Sequence, residues 1–246
     1  MRPRFYAPGL DPAAERVALP AEEAEHLTRV LRLGAGAEVD VIDGRGGLWR
    51  AQVVDAGKRA AVVQLIERGQ PAAETRLPIT LVMCVLKADK MDDVVRDAVM
   101  LGVVAIQPVV SERAEIRMAT LVKSGRVARW QRIAVSSAKQ CGRALVPAVH
   151  EAVPVDQYWS EVTDAARVMC VEPTAKLDHV ASVRDVPRPG AAHVIVGPEG
   201  GWTGPEVAAA LASGAILMSL GDRTLRADAV PIVALTALLT TWSELT

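Results

Sequence analysis

The sequence predicts an α/β protein: a domain built on a mainly parallel sheet, preceded by a small β-barrel. Three observations carry this. From Ile79 onward, short apolar runs alternate with helical patterns, the arrangement of a parallel sheet covered on both faces. Before that, strand-like runs joined by glycine turns follow one another at the spacing of a small barrel. Between them, Gly69-Gln70-Pro71-Ala72-Ala73-Glu74 reads as a linker, and the rhythm changes across it. We expect a barrel over 1–70, a linker over 71–78 and an α/β domain over 79–246. A length of 246 residues suits one large domain or two smaller ones, and an apolar content of 50% supplies the cores.

In the first part, Pro20 to Leu33 reads as a helix with an acidic start (Glu22, Glu23, Glu25) and a basic end (Arg29, Arg32), matching the helix dipole, with Gly34 as its stop. Val39 to Asp43 alternates as a strand. Gly44-Arg45-Gly46-Gly47 turns it, and Leu48 to Val54 and Ala60 to Ile66 follow as further strands.

In the second part, Ile79 to Leu86 is a strand, and Asp89 caps a helix whose Met91, Val94, Val95, Ala98 and Leu101 share one face. Val103 to Val110 is the next strand, and Arg126 to Gln140 a helix with Trp130, Ile133, Ala134 and Ser137 on one side. Ala166 to Val171, Val194 to Val196 and Ile216 to Leu220 are further strands. Asp228 to Trp242 is a helix apolar nearly all round, which belongs in a core or at an interface between copies.

Composition excludes several classes. No run of eighteen apolar residues marks a membrane span, and the N-terminus lacks a signal-like apolar region, so a cytoplasmic protein is expected. One Phe, two Tyr and five Trp are too few for rows of stacking rings. Cys84, Cys141 and Cys170, like the four histidines, are scattered, so neither a disulfide framework nor a metal site is supported. A P-loop, a complete GxGxxG, GxSxG and HExxH are all absent. Net charge is −1 but uneven: residues 71–150 carry twelve basic and seven acidic side chains, residues 151–246 six and twelve. Within 111–143, eight Lys or Arg face two Glu, which fits either a polyanion surface or a solvated helix face.

Two glycine-bearing turns follow strands and carry the chemistry. His193-Val194-Ile195-Val196 ends in Gly197-Pro198-Glu199-Gly200-Gly201, and Thr203-Gly204-Pro205-Glu206 then opens a helix with the pattern of a capping box. Ile216 to Ser219 runs into Leu220-Gly221-Asp222-Arg223-Thr224-Leu225-Arg226. Both lie at the C-terminal edge of the predicted sheet, where α/β folds bind ligands; the first turn alone reads equally as a mere connector. Arg226 is either a cation for an anionic substrate or a salt-bridge partner of Asp222 or Asp228. Glu199 either touches substrate or accepts local backbone N–H groups.

The order and spacing of these segments resemble the RsmE-type ribosomal RNA small-subunit methyltransferases of the SPOUT superfamily, over nearly the whole chain. The resemblance runs through Arg4-Phe5-Tyr6, His26-Leu27-Thr28-Arg29-Val30-Leu31-Arg32, Val41-Ile42-Asp43-Gly44 and Lys87 with Asp89-Lys90-Met91. It continues through Leu101-Gly102-Val103, Ser111-Glu112-Arg113, Arg129-Trp130 and Gln140-Cys141-Gly142-Arg143. It is strongest at Gly197 to Gly201 and at Leu220-Gly221 with Leu225-Arg226. It implies a PUA-like RNA-binding barrel, then a SPOUT domain with a C-terminal trefoil knot, working as a homodimer. The implied reaction transfers a methyl group from S-adenosylmethionine to N3 of the uridine at position 1498 of 16S ribosomal RNA, within the small ribosomal subunit.

Carried over residue by residue, the resemblance gives the cofactor Glu172, with Pro173, on one side. Gly197, Pro198, Glu199, Gly200, Gly201, Leu220, Gly221, Leu225 and Arg226 form the other walls. Arg226 would stabilise the uridine anion, and Glu199 is a tentative second catalytic group; Glu199 and Asp228 are chemically suited to act as base. RNA would meet Arg2, Arg4, Arg113, Arg126, Arg129, Arg132 and Arg143, the last helping to position either the RNA or the base from the partner subunit. No metal and no membrane enter this reading. The chain departs from the family pattern Leu-Arg-Thr-Glu-Thr-Ala, reading Leu225-Arg226-Ala227-Asp228-Ala229-Val230, and has Val99-Met100-Leu101-Gly102 where Thr-Glu-Leu-Gly is usual. The first change lies beside the site and leaves an alternative open: a non-catalytic RNA-binding ribosome-assembly factor that keeps the fold. A knotted transfer-RNA methyltransferase would match the C-terminal loops but not the N-terminal segments.

Overall fold

A computed structural model describes the whole chain except Met1, Lys58, Arg59, Val162, Thr174, Lys176 and Thr246. The chain forms two compact units, Met1–Glu74 with Val135–Val146, and Thr75–Ala134 with Pro147–Thr246.

In the first unit, β1 (Arg4–Tyr6), β2 (Arg16–Leu19), β3 (Glu38–Ile42), β4 (Leu48–Ala56) and β5 (Ala61–Arg68) form one sheet in the order β1-β3-β4-β5-β2. All neighbours are antiparallel except β1 and β3. The three strands expected from the glycine-turn rhythm are β3, β4 and β5; β1 and β2 are too short to show a period. Alternate residues point inward, so Val39 and Val41, Ala51 and Val53, and Ala61 and Val63 are buried together with Phe5 and Leu27. Residues 135–146 complete this unit: Val146 N donates to the Gly44 carbonyl at 3.0 Å, and Ala144 packs with Ile42 and Leu48.

The helix expected over 20–33 is shorter and irregular. It runs as α1 (Ala21–Glu25) and widens into a π turn over His26–Val30. Its stop is not Gly34. Arg32 takes a left-handed φ of 53°, and Leu33 N reaches back to the Leu27 carbonyl at 3.0 Å. Burial of Leu33 against the core favours this closure and offsets the strain at Arg32.

The second unit carries an eight-stranded parallel sheet. Its elements are β6 (Ile79–Cys84), α2 (Lys90–Met100), β7 (Ala105–Val110), α3 (Met118–Lys123), the part of α4 (Arg126–Cys141) before Val135, β8 (Ala148–Val149) and β9 (Val153–Pro154). After these come α5 (Val155–Ser160), β10 (Ala166–Cys170), β11 (Ala181–Ser182), β12 (Ala192–Val196), α6 (Gly204–Ala212), β13 (Ile216–Ser219) and α7 (Val230–Thr241). The order is β11-β13-β10-β12-β6-β7-β8, with β9 also beside β7. The central strands are covered on both faces: Leu81, Val82, Val168, Met169, Val194 and Ile195 are all fully buried, as expected of unbroken apolar runs.

Asp89 stands at the start of α2, but its side chain makes no capping bond. It pairs instead with Arg129, at 3.7 Å. The last helix begins at Val230 rather than Asp228, with Pro231 in its first turn, so Asp228 stays in the preceding turn. Among the described residues no helix is long and apolar enough to cross a membrane.

Candidate functional site

Three neighbouring parallel strands, β13, β10 and β12, end side by side at one edge of the sheet. Their continuations, Leu220 and Gly221, Val171 to Pro173, and Gly197 to Pro198, wall a single cavity of about 360 Å³. The two glycine-bearing turns are therefore walls of one site, with the end of β10 between them. Apart from Gly200, every residue expected at a cofactor lines the cavity.

Gly200 faces outward, and its carbonyl accepts from Arg113 Nη1 at 3.0 Å. The same Arg113 nitrogen lies 3.3 Å from the Trp202 carbonyl. Protein neighbours crowd the glycines. A Cβ on Gly197 would sit 2.9 Å from the Trp202 ring, and one on Gly200 3.0 Å from Arg113 Cβ. One on Gly201, whose φ is +67°, would sit 3.0 Å from Glu172 Oε1. Trp202 is fixed in turn by its Nε1–H donating to the Cys170 carbonyl at 3.0 Å.

The expected capping box is present. Glu206 N donates to Thr203 Oγ1 at 3.4 Å and Thr203 N to Glu206 Oε2 at 2.8 Å. Glu206 has a second task that its sequence position does not reveal: its other oxygen accepts from Glu112 N at 2.9 Å. One buried carboxylate thus ties the segment after β7 to the start of α6, just past the glycine turn.

At the mouth, charges alternate. Lys90 Nζ lies 3.4 Å from Glu199 Oε1 and 3.6 Å from Asp228 Oδ1, and Arg226 Nε lies 3.6 Å from that same Asp228 oxygen. Glu199 thus binds a lysine rather than local backbone, and Arg226 pairs with Asp228, not Asp222. Arg226 is 78% exposed and Asp228 30%, so the guanidinium stands in solvent while its carboxylate is largely enclosed. Beyond its place in the family resemblance, no sequence pattern marks Lys90; its signal is position, in the first turn after β6, on the same sheet edge as the glycine turns. Cys170 also lines the cavity, but burial pushes its thiol up to about 12, so it stays protonated and inert at neutral pH.

The basic candidates separate. Arg126, Arg129 and Arg132 lie on α4, with Arg129 and Arg132 exposed. Arg129 is engaged by Asp92 and Asp89. In the first unit, Arg2 pairs with Glu38 at 2.9 Å and Arg4 faces Asp40 at 3.9 Å. Arg143 is buried, with Nε 2.8 Å and Nη2 2.6 Å from Glu74 Oε2.

The model of the RNA methyltransferase domain matches residues 73–239, and that of the RNA methyltransferase PUA domain matches residues 19–66. A ribosomal RNA small subunit methyltransferase E from Synechocystis sp. is 35% identical over 89% of this chain and 71% of its own. The crystal structure of a ribosomal RNA small subunit methyltransferase E from Neisseria gonorrhoeae, bound to S-adenosylmethionine, is 32% identical, covers 98% of both chains and superposes with a TM-score of 0.88. A Legionella pneumophila protein with bound S-adenosylmethionine is 26% identical, again covers 98% of both chains and has a TM-score of 0.88. With its catalytic-domain and PUA-domain matches and a relative at this identity, the chain belongs to the ribosomal RNA small subunit methyltransferase E family.

Proposed function

We propose that the protein methylates N3 of a uridine in 16S ribosomal RNA, at position 1498, using S-adenosylmethionine. The observation that carries this is the single cavity walled by the two glycine-bearing turns, in a chain whose N. gonorrhoeae relative holds S-adenosylmethionine. Its volume suits a nucleoside-sized ligand. Val171, Leu220, Leu225 and Val230 offer apolar contact to a planar base, and the strand-end backbone offers the polar groups that fix its edge.

Bound in this cavity, the cofactor supplies an already activated methyl group. The protein's task is then to bind, align and favour the uridine anion. Glu172, Gly197, Pro198, Gly201, Leu220, Gly221 and Leu225 hold the ligand, and Gly200 is the point where Arg113 anchors the turn. Arg226, exposed at the mouth, offers its guanidinium to the developing charge on the uracil carbonyls. Glu199 is the carboxylate offered to the N3 proton, while Asp228, enclosed between two cations, serves as counter-ion.

Residues 1–70 act in this reading as the RNA-binding barrel, 71–78 as linker and 79–246 as the knotted catalytic domain. The basic face of α4, through Arg126, Arg129 and Arg132, meets phosphates. Exposed Ile232 and Val233 on α7 and Met100 on α2 support a homodimer, since apolar side chains on two packed helices gain from cover by a second copy. The substrate is RNA within the small ribosomal subunit, in the cytoplasm.

Mass mapping of methylated nucleotides in ribosomal RNA from cells with and without the gene tests the reaction directly. Loss of one N3-methyluridine from 16S RNA is expected; an unchanged map refutes it. Calorimetry with S-adenosylmethionine separates the enzyme from an assembly factor, which would bind none.

A further inference from the structure

Lys90 has no part in the reaction as described, yet it occupies the centre of the charge cluster. Its ammonium touches one carboxylate from each of the two cavity walls: Glu199 at 3.4 Å and Asp228 at 3.6 Å. Among the described residues, Asp228 Oδ1 is shielded from solvent and accepts no hydrogen bond, and two cations stand at ion-pair distance from it, Lys90 Nζ and Arg226 Nε, each at 3.6 Å. One of these cations is enclosed, with 24% of its side chain exposed, and the other is in solvent at 78%. Asp228 is thus a carboxylate contested by two cations, only one of which is free to swing toward a substrate.

We propose that Lys90 is a positioning residue for Arg226: by neutralising Asp228 it keeps the Arg226 guanidinium available for the uridine anion. The proposal rests on the methyl-transfer reading above. An enclosed carboxylate is costly without a cation, and attraction across a few ångströms strengthens as solvent is excluded. With Lys90 in place, Arg226 can leave Asp228 while the carboxylate stays paired. Without Lys90, Arg226 becomes the only cation at Asp228 and is held there, its charge cancelled where the reaction needs it.

The geometry suits the task. The lysine backbone is fixed in the first turn of α2, and Glu199 steadies the ammonium from the opposite wall. A compact ammonium can face two single oxygens at once, which a planar guanidinium fork does less well. When Arg226 moves to the substrate the remaining three groups carry −1, but Lys90 stays at ion-pair distance from both carboxylates, so neither is left without a cation.

The competing role for Lys90, direct contact with a carboxylate of the bound ligand, gives a different signature. The experiment uses the full chain with Lys90→Met, Lys90→Gln, Asp228→Asn, Arg226→Ala and the pairwise combinations. It measures single-turnover methylation of 16S RNA at saturating RNA and cofactor, S-adenosylmethionine binding by calorimetry, and melting temperature. Either Lys90 variant is expected to lower the single-turnover rate about tenfold or more while the cofactor Kd stays within about threefold. Adding Asp228→Asn to Lys90→Met is expected to restore most of the rate, because no carboxylate remains to hold Arg226. In the Arg226→Ala background, Lys90→Met should have little further effect.

Failure of Asp228→Asn to restore the rate overturns the proposal. So does a rise in cofactor Kd as large as the loss of rate, which would make Lys90 a ligand contact. If one Lys90 variant melts early, the other carries the comparison. A wild-type protein that binds no S-adenosylmethionine overturns the underlying reading, and this one with it, before any variant is compared.

Discussion

Arg113 Nη1 lies 3.0 Å from the carbonyl oxygen of Gly200 and so holds the glycine turn from outside the cavity. Two carbonyls, those of Gly200 and Trp202, depend on this one guanidinium. Arg113→Ala is expected to weaken S-adenosylmethionine binding about tenfold in calorimetry without RNA, since charged hydrogen bonds contribute about 1.5–3 kcal/mol each and water replaces part of that. An effect seen only with RNA present would make Arg113 an RNA contact instead.

Gly201 carries two constraints, a φ of +67° and the Glu172 carboxylate 3.0 Å from where a Cβ would stand. Gly214, at φ +77° with nothing near its Cβ position, carries only the first. Gly214→Ala should cost about 1–2 kcal/mol in urea unfolding, from backbone strain alone. Gly201→Ala should cost at least as much and also impair cofactor binding, which Gly214→Ala should leave intact. Equal cofactor binding by both variants would refute the role of the Glu172 contact.

Glu206 accepts from Thr203 N, Thr203 Oγ1 and Glu112 N while buried. Glu206→Ala leaves three donors without an acceptor and is expected to lower stability by about 3 kcal/mol, against about 1 kcal/mol for the cap alone in Thr203→Ala. Urea midpoints measure both. Equal losses would show that the bond to Glu112 contributes nothing.

His193 is half-buried at the start of β12, with Tyr158 Oη 2.9 Å from its Nδ1. Burial, and then the nearby Arg167 cation, hold its pKa below the ordinary imidazole value. The unfolded chain therefore takes up the proton first as pH falls. The contribution of His193 to stability is intact above the unfolded pKa of about 6.5 and is lost as pH drops below it toward the folded value. His193→Gln should flatten the stability profile between pH 7 and pH 5; an unchanged slope would show that other groups set it.

On α4, each arginine that meets a phosphate should add roughly 0.7–0.9 to the slope of log affinity against log salt. Arg129 is already engaged by Asp92 and Asp89, so Arg132→Ala should flatten the slope more than Arg129→Ala. A triple change at Arg126, Arg129 and Arg132 that leaves the slope unaltered would move the RNA surface elsewhere.

The elements that alternate apolar and polar residues, or that run apolar for a full strand length, could be read from the chain alone. β3 to β5 and the central parallel strands are of this kind, and so is the capping box at Thr203, because its partners are three residues apart. What could not be read depends on contacts distant in sequence. Lys90 and Asp228 meet because β6 and β13 end on the same edge, and the second oxygen of Glu206 finds Glu112 across the sheet. The stop of the first helix at Arg32 rather than Gly34 was hidden because burial of Leu33 outweighs the local preference for glycine. The return of residues 135–146 to the first unit has no local signal, since they begin within the continuous α4.

That return has a consequence for the order in which the protein is made. A nascent chain that has just passed Glu74 lacks Ala144 and Val146, which cover Ile42 and Leu48, and lacks the Arg143 partner of Glu74. The amino-terminal unit is thus finished only after the first α/β elements have been synthesised. The two units mature out of register with the reading direction, and a truncation at residue 74 would leave an unfinished apolar surface.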